Sequence, residues 1–167
     1  SMNGPWFDKF HETYPDIPIG CSEYGCEALD WHSSDPKQGD YTEEYQARYH
    51  EELIRQLFPR KYLWATYVWN MFDFAVPTSK RGSVDARNMK GMMTFDRRIK
   101  KDSYFWYKAN WSKEPVLYLT QRRNAVREKK ETSITVYSNI GTPRVYLNGK
   151  ELTGVRKGYT DVHYIFD

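Results

Sequence analysis

The chain has 167 residues, with 25 Lys and Arg against 22 Asp and Glu and a formal net charge of +3, so it is long enough for one domain or for parts of two. A positive balance this mild excludes a partner held by bulk charge, and neither nucleic acid nor an anionic membrane surface is expected. The longest apolar run, Tyr62 to Val76, is too short and too polar to cross a bilayer, and no signal peptide opens the chain.

Ser1-Met2 reads as a cloning remnant before the native sequence. Trp6, Phe7, Phe10 and Tyr14 then recur at helical spacing behind Pro5, which predicts a short amphipathic helix over 5–14. Pro15 and Pro18 bracket a turn into a short buried strand, Ile17 to Cys21. That strand runs into Gly-Cys-Ser-Glu-Tyr-Gly-Cys and places Glu23 at its mouth. An acid there is either a satisfied structural carboxylate or a working one. Cys21 and Cys26 flank it without metal-site spacing, and a disulfide between them is not expected.

Residues 30–40, DWHSSDPKQGD, are a loop longer than connection requires. Asp40 with Glu43 suggests a capping box for a helix carrying Tyr41, Tyr45, Tyr49, Leu53 and Leu57 up to Pro59. Tyr62 to Phe74, YLWATYVWNMFDF, is nearly continuous in apolar residues, the look of a parallel strand covered on both faces. Residues 77–90 form a loop, and 102–111 a helix with Phe105, Trp106 and Ala109 inward. The basic runs Arg97–Lys101 and Arg122–Lys130 read as solvated faces, because acids are interleaved and no glycine-rich cradle accompanies them.

After Pro115 the pattern changes. Val116–Thr120, Ser133–Ser138, Arg144–Leu147 and Val162–Phe166 alternate apolar and polar, and Asn148-Gly149 is a two-residue hairpin signal. The expected fold class is therefore α/β followed by antiparallel sheet, with a boundary near 112–116 dividing 1–112 from 113–167. Two strands close no parallel barrel and about four leave a sandwich open, so both pieces read as parts of larger units. The aromatic share, 17%, suits sugar faces, although large rings also fill cores and interfaces.

Three signatures stand in order: SEYG at 22–25, WNMFDF at 69–74, and NMKG at 88–91 followed by TFDRRIKKD at 94–102. Together they resemble the last part of the catalytic barrel of glycoside hydrolase family 2, the family of β-galactosidases, β-glucuronidases and β-mannosidases. The likeness runs from about Trp6 to Tyr118 and continues weakly beyond. It implies the C-terminal portion of a (β/α)8 barrel, about strands seven and eight, followed by part of an immunoglobulin-like β-sandwich. The glutamate of the SEYG-type motif is the family's nucleophile, which implies that role for Glu23. A retaining glycosidase needs an ionised carboxylate that bonds to the anomeric carbon, and barrels place such residues at the C-terminal ends of strands.

The resemblance further implies Trp69 as a sugar platform with Asn70 and Asp73 beside it, Tyr24 and His32 as hydrogen-bond partners of sugar hydroxyls, and Asn88 and Lys90 in the Asn-x-Lys pattern that β-glucuronidases turn toward the sugar carboxylate. Similar strings occur in β-galactosidases, and the block from His32 to Phe74 looks most like that branch. A β-galactoside is thus ranked first as substrate and a β-glucuronide second. A non-catalytic carbohydrate-binding module is the rival reading. The family's acid/base comes from an Asn-Glu pair, and the chain contains no such dipeptide, so the chain alone is expected to be inactive. No cofactor is implied, and the family's metal ligands have no counterpart here. A soluble bacterial protein of cytoplasm or periplasm is expected, associating as a homo-oligomer through surfaces that barrel neighbours would otherwise cover.

Overall fold

The computed structural model describes residues 4–29, 41–77, 84–123 and 130–167. Helix α1 spans Gly4–Thr13 and strand β1 Ile19–Tyr24. Of the ring stripe expected to be inward on α1, Phe7 is buried whereas Trp6 and Tyr14 are exposed. Polar contacts hold the helix instead: Arg60 donates to both Asp8 oxygens at 2.9 and 2.6 Å, and the Tyr62 hydroxyl reaches the same carboxylate. That carboxylate is held below its ordinary range, first by the Arg60 hydrogen bonds and then by Tyr62.

Strand β2, Leu63–Val68, pairs in parallel with β1, bringing Tyr24 opposite Val68. Parallel pairing is as the sequence suggested, but the strand is shorter than the apolar run. Trp64 and Tyr67 are exposed rather than covered, because in a two-stranded sheet one face of β2 has no element over it. The run's remainder turns away: β3, Phe74–Ala75, pairs antiparallel with β4, Arg87–Asn88.

Helix α2, Glu43–Leu57, is capped by Thr42, whose hydroxyl accepts from Tyr45 N at 3.1 Å. Asp40, the expected cap, lies outside the described residues. Helix α3, Asp102–Trp111, has the expected bounds, with Trp106 and Ala109 buried. Beyond it, β5 (Leu117–Leu119), β6 (Ile134–Ser138), β9 (Arg156–Lys157) and β10 (His163–Phe166) form an antiparallel sheet in the order β5-β6-β10-β9. The short hairpin β7 (Tyr146–Leu147) and β8 (Lys150–Glu151) turns on Asn148 and Gly149, at φ 51° and 82°. Positive φ at both central residues is what a primed turn requires, and Asn-Gly tolerates it best.

One core cluster includes residues before and after the 112–116 segment: Tyr24, Leu53, Trp106, Tyr118 and Tyr137 all belong to it. Polar contacts cross at the same place. Tyr118 donates to Asp102 at 2.7 Å, Tyr137 donates to Glu51, and Glu43 accepts from Asp102 N and Arg123.

These buried groups set a pH dependence of stability. Burial pushes the Glu51 carboxyl up to about 8, with the Tyr137 hydrogen bond opposing; burial, then the Glu43 carboxylate, pushes Asp102 up as well. Burial moves His50 down to about 3 and His163 down to about 4. An acid with a raised native value keeps a proton that the unfolded chain has released, so its effect lowers stability as pH rises from 4.5 toward 8. A histidine with a depressed value does the opposite, adding stability as pH rises from 3–4 to 6.5. The expected profile climbs to about pH 4.5, is nearly level to about 6.5, then falls toward 8, each unmatched proton contributing about 1.4 kcal/mol per pH unit. Denaturant midpoints across this range check it; midpoints that rise between pH 6.5 and 8 contradict it.

Candidate active site

Glu23 lies inside the last turn of β1 rather than in the loop beyond it, and its side chain is exposed. A break in alternation explains this: Cys21 and Tyr24 face the core, and the bulge in the β1–β2 register between them turns Ser22 and Glu23 outward together. Directly after it, Gly25 passes so near Trp69 that a Cβ would stand 1.9 Å from the Trp69 carbonyl oxygen. Only glycine fits that approach. Trp69 N donates to Tyr24 O at 2.8 Å, which locks the end of β2 against the end of β1.

Trp69 is 39% exposed and packs edge-on to Phe74, with centroids 5.7 Å apart. Its peptide bond to Asn70 is cis. Asn70 is partly buried, and its side-chain oxygen is covered with no hydrogen-bond partner among the described residues. Asn70 N donates to Lys90 O at 3.3 Å and Asn70 O accepts from Met92 N at 3.0 Å. The chain through the Asn88–Lys90 segment is thereby tied to the tip of β2, and through Trp69 to the Glu23 strand. Asn88 Oδ1 accepts from Lys90 N at 3.0 Å, an Asx-type bond that fixes the local turn. Gly91 is as constrained as Gly25: a Cβ would lie 2.0 Å from Asp73 N.

Six of the expected site residues are thus gathered at the ends of β1 and β2: Glu23, Tyr24, Trp69, Asn70, Asn88 and Lys90. Two of the expected contact residues are turned inward. Tyr24 is 4% exposed and points inward; its hydroxyl accepts from Tyr107 at 3.3 Å, and Tyr107 pairs with His50 Nδ1 at 2.9 Å. It is the last residue of β1 and its burial anchors the end of the strand. Asp73 is fully buried, with Oδ1 accepting from Lys101 Nζ at 2.9 Å and Gly91 N at 2.8 Å. Its charge is met from within the protein. His32 lies outside the described residues.

Lys101 corrects the reading of its basic run as a solvated face. Arg98 is exposed as expected, and Arg97 lies on the Phe72 ring at 4.1 Å, but Lys101 has no accessible surface. Gln46 and His50 also escaped the sequence reading. A signal existed, since both stand on the helical stripe of Leu53 and Leu57. Both cysteines are free. A hollow of about 550 Å³ between α2 and the C-terminal sheet is lined by Arg48, Glu51, Tyr137 and Arg156, and by none of the residues around Glu23.

No protein-family model matches the chain. A curated β-glucuronidase from Bacteroides fragilis is 36% identical over 151 residues, which is 86% of this chain and 22% of that protein. The homologues are β-glucuronidase- and β-galactosidase-like glycoside hydrolases. The crystal structure of a candidate β-galactosidase from Bacteroides fragilis superposes with a TM-score of 0.92 at 56% identity, covering 98% of this chain and 25% of that one. That of an FMN-binding β-glucuronidase from Faecalibacterium prausnitzii L2-6 superposes at 0.87 with 46% identity, over 98% and 25%. A Bacteroides uniformis β-glucuronidase, covalently bound to cyclophellitol-6-carboxylate aziridine, follows at 0.81 with 25% identity, over 98% and 20%. The chain therefore spans about a fifth to a quarter of the length of these glycosidase relatives. No helix among the described residues is long and apolar enough to cross a membrane.

Proposed function

We propose that the chain carries the nucleophile half of a retaining β-glycosidase site, with Glu23 as nucleophile and a β-glucuronide as preferred substrate. One observation carries the reading: an exposed carboxylate at the C-terminal end of a parallel strand, tied by backbone hydrogen bonds through Trp69 and Asn70 to the Lys90 segment. Residues 1–112 then form the end of a (β/α)8 barrel, in which the rest of the barrel covers Trp64 and Tyr67, and 113–167 begin an immunoglobulin-like sandwich.

In the reaction, one Glu23 oxygen bonds to the anomeric carbon while the glycosidic C–O bond breaks, and the leaving oxygen takes a proton from a second carboxyl group about 5 to 5.5 Å from the first. Water then attacks the glycosyl ester, returns its proton to that second group and frees Glu23. The second carboxyl has no candidate in this chain. Trp69 offers a ring face to the sugar, with Asn70 beside it. Lys90 supplies the charge for the sugar carboxylate, where a charge-assisted bond is about twice as strong as a neutral one. A uronate is placed ahead of the galactoside for that reason, supported by the carboxylate-bearing inhibitor bound to the Bacteroides uniformis relative. The galactoside remains as second reading because of the name of the 56% identical relative.

The test uses a graft in which this chain replaces the matching quarter of that Bacteroides fragilis relative. Treated with glucuronide- and galactose-configured cyclophellitol aziridines, the graft is expected to be labelled on Glu23, faster by the carboxylate-bearing reagent. Faster labelling by the galactose form favours the second reading; a label on any other side chain rejects both.

A further inference from the structure

Three backbone segments meet at the proposed site: the chain after β1 (25–29), the chain after β2 (69–73) and the segment 88–91. A single buried ammonium touches all three. Lys101 Nζ donates to Ala28 O at 2.7 Å, to Asp73 Oδ1 at 2.9 Å and to Met89 O at 3.1 Å, and both members of the ion pair have no accessible side-chain surface. Gln46 joins the same parts from the other side. Its Nε2 donates to Cys26 O at 3.1 Å and Gly91 O at 3.3 Å, while its Oε1 accepts from Ser103 Oγ at 2.8 Å. Asp73 completes the bracket by accepting from Gly91 N.

Stability alone does not account for a charge at this point, since apolar side chains of similar volume stabilise a buried position as well as an ion pair or better. What apolar groups cannot do is fix three separate oxygens at set distances. An ammonium, with three donors and no acceptor, can.

Resting on the reading of Lys90 as the sugar-carboxylate partner, we infer that the Asp73–Lys101 pair, with Gln46, is a positioning and specificity-determining device. It sets where the Asn88–Lys90 segment stands relative to the Glu23 strand. Lys101 touches no substrate. It acts through the carbonyl of Met89, the residue between Asn88 and Lys90, and through Asp73 on Gly91 N. Loss of the bracket releases the segment that reads the carboxylate and leaves Glu23 on its own strand, held by the β1–β2 ladder and the Tyr24–Tyr107 contact.

The experiment compares kcat/KM for the 4-nitrophenyl β-glucuronide and β-galactoside in the graft. The double variant Lys101→Met with Asp73→Asn removes both charges, so that neither is left buried alone. Its glucuronide-to-galactoside ratio is expected to fall about tenfold or more, chiefly through KM for the glucuronide, while aziridine labelling of Glu23 persists. Ser103→Ala, a milder change that only frees the Gln46 amide, is expected to lower the ratio on the order of threefold, and it keeps the inference testable if the double variant does not fold. Equal losses on both glycosides, or an unchanged ratio in folded variants, overturn the inference alone. An unmodified graft with no preference for the glucuronide, or with Glu23 unlabelled, overturns the functional reading and the inference with it.

Discussion

Glu23→Gln in the graft is expected to lower kcat/KM on every glycoside on the order of 10⁴-fold or more, with KM changed little, because removal of a covalent nucleophile takes away the bond that splits the reaction into two easier steps. The amide is nearly the same size and the site is exposed, so folding should be indifferent to it; surface substitutions of this kind stay within about 0.5 kcal/mol. A second arm separates loss of the nucleophile from loss of shape. Glu23→Ala opens room for a small external carboxylate, and added formate should restore part of the rate. Kinetics of the Gln variant, with thermal unfolding as the control, decide the matter. Activity within tenfold of the unmodified graft would mean that Glu23 is a satisfied strand-end carboxylate, and that the binding-module reading describes the chain better.

The second large effect concerns the core. Trp106→Ala is expected to destabilise the isolated chain by about 3 to 5 kcal/mol, since it deletes a fully buried ring and leaves a cavity whose walls relax only in part. Trp106 sits edge-on to Tyr107, centroids 5.0 Å apart, in the cluster that also contains Tyr24 from β1, Leu53 from α2, and Tyr118 and Tyr137 from the C-terminal sheet. The loss should therefore be felt on both sides of residues 112–116 at once. Against a typical total of about 5 to 15 kcal/mol, this is enough to leave much of the population unfolded under mild denaturant. Urea unfolding followed by far-ultraviolet and near-ultraviolet circular dichroism should show one shared midpoint, displaced to lower urea. A shift of less than 1 kcal/mol, or a C-terminal sheet that unfolds at its original midpoint, would show that each part has a core of its own.

The helix over 102–111 was legible from Phe105, Trp106 and Ala109, which fall on one side of a helix, and from the breaks in the pattern at both ends. The parallel pairing of β1 with β2 and the antiparallel sheet after Pro115 were legible from continuous against alternating hydrophobicity, although the exposed Trp64 and Tyr67 show that the continuous run is not covered on both faces here. The Asn148-Gly149 turn follows from local sterics alone. Gly25 and Gly91 were visible as letters of two motifs, but the close approach of Trp69 and Asp73 that makes them necessary was not, because the residues that crowd them are 44 and 18 positions away.

Polar residues mark the limit. Lys101 reads as one more exposed cation in a basic run until it is known that Ala28, 73 positions earlier, turns a carbonyl toward it. Glu51 and Tyr137 stand 86 positions apart and meet in a buried hydrogen bond. Tyr24 has the composition of a sugar contact and the strand position of a core residue, and the pairing of β1 with β2 decided for the core. Apolar burial leaves a periodic trace in the sequence because one element's face serves one core. Burial of a charged or hydroxyl group depends on a single partner at hydrogen-bond distance, and only the tertiary fold says which residue that is.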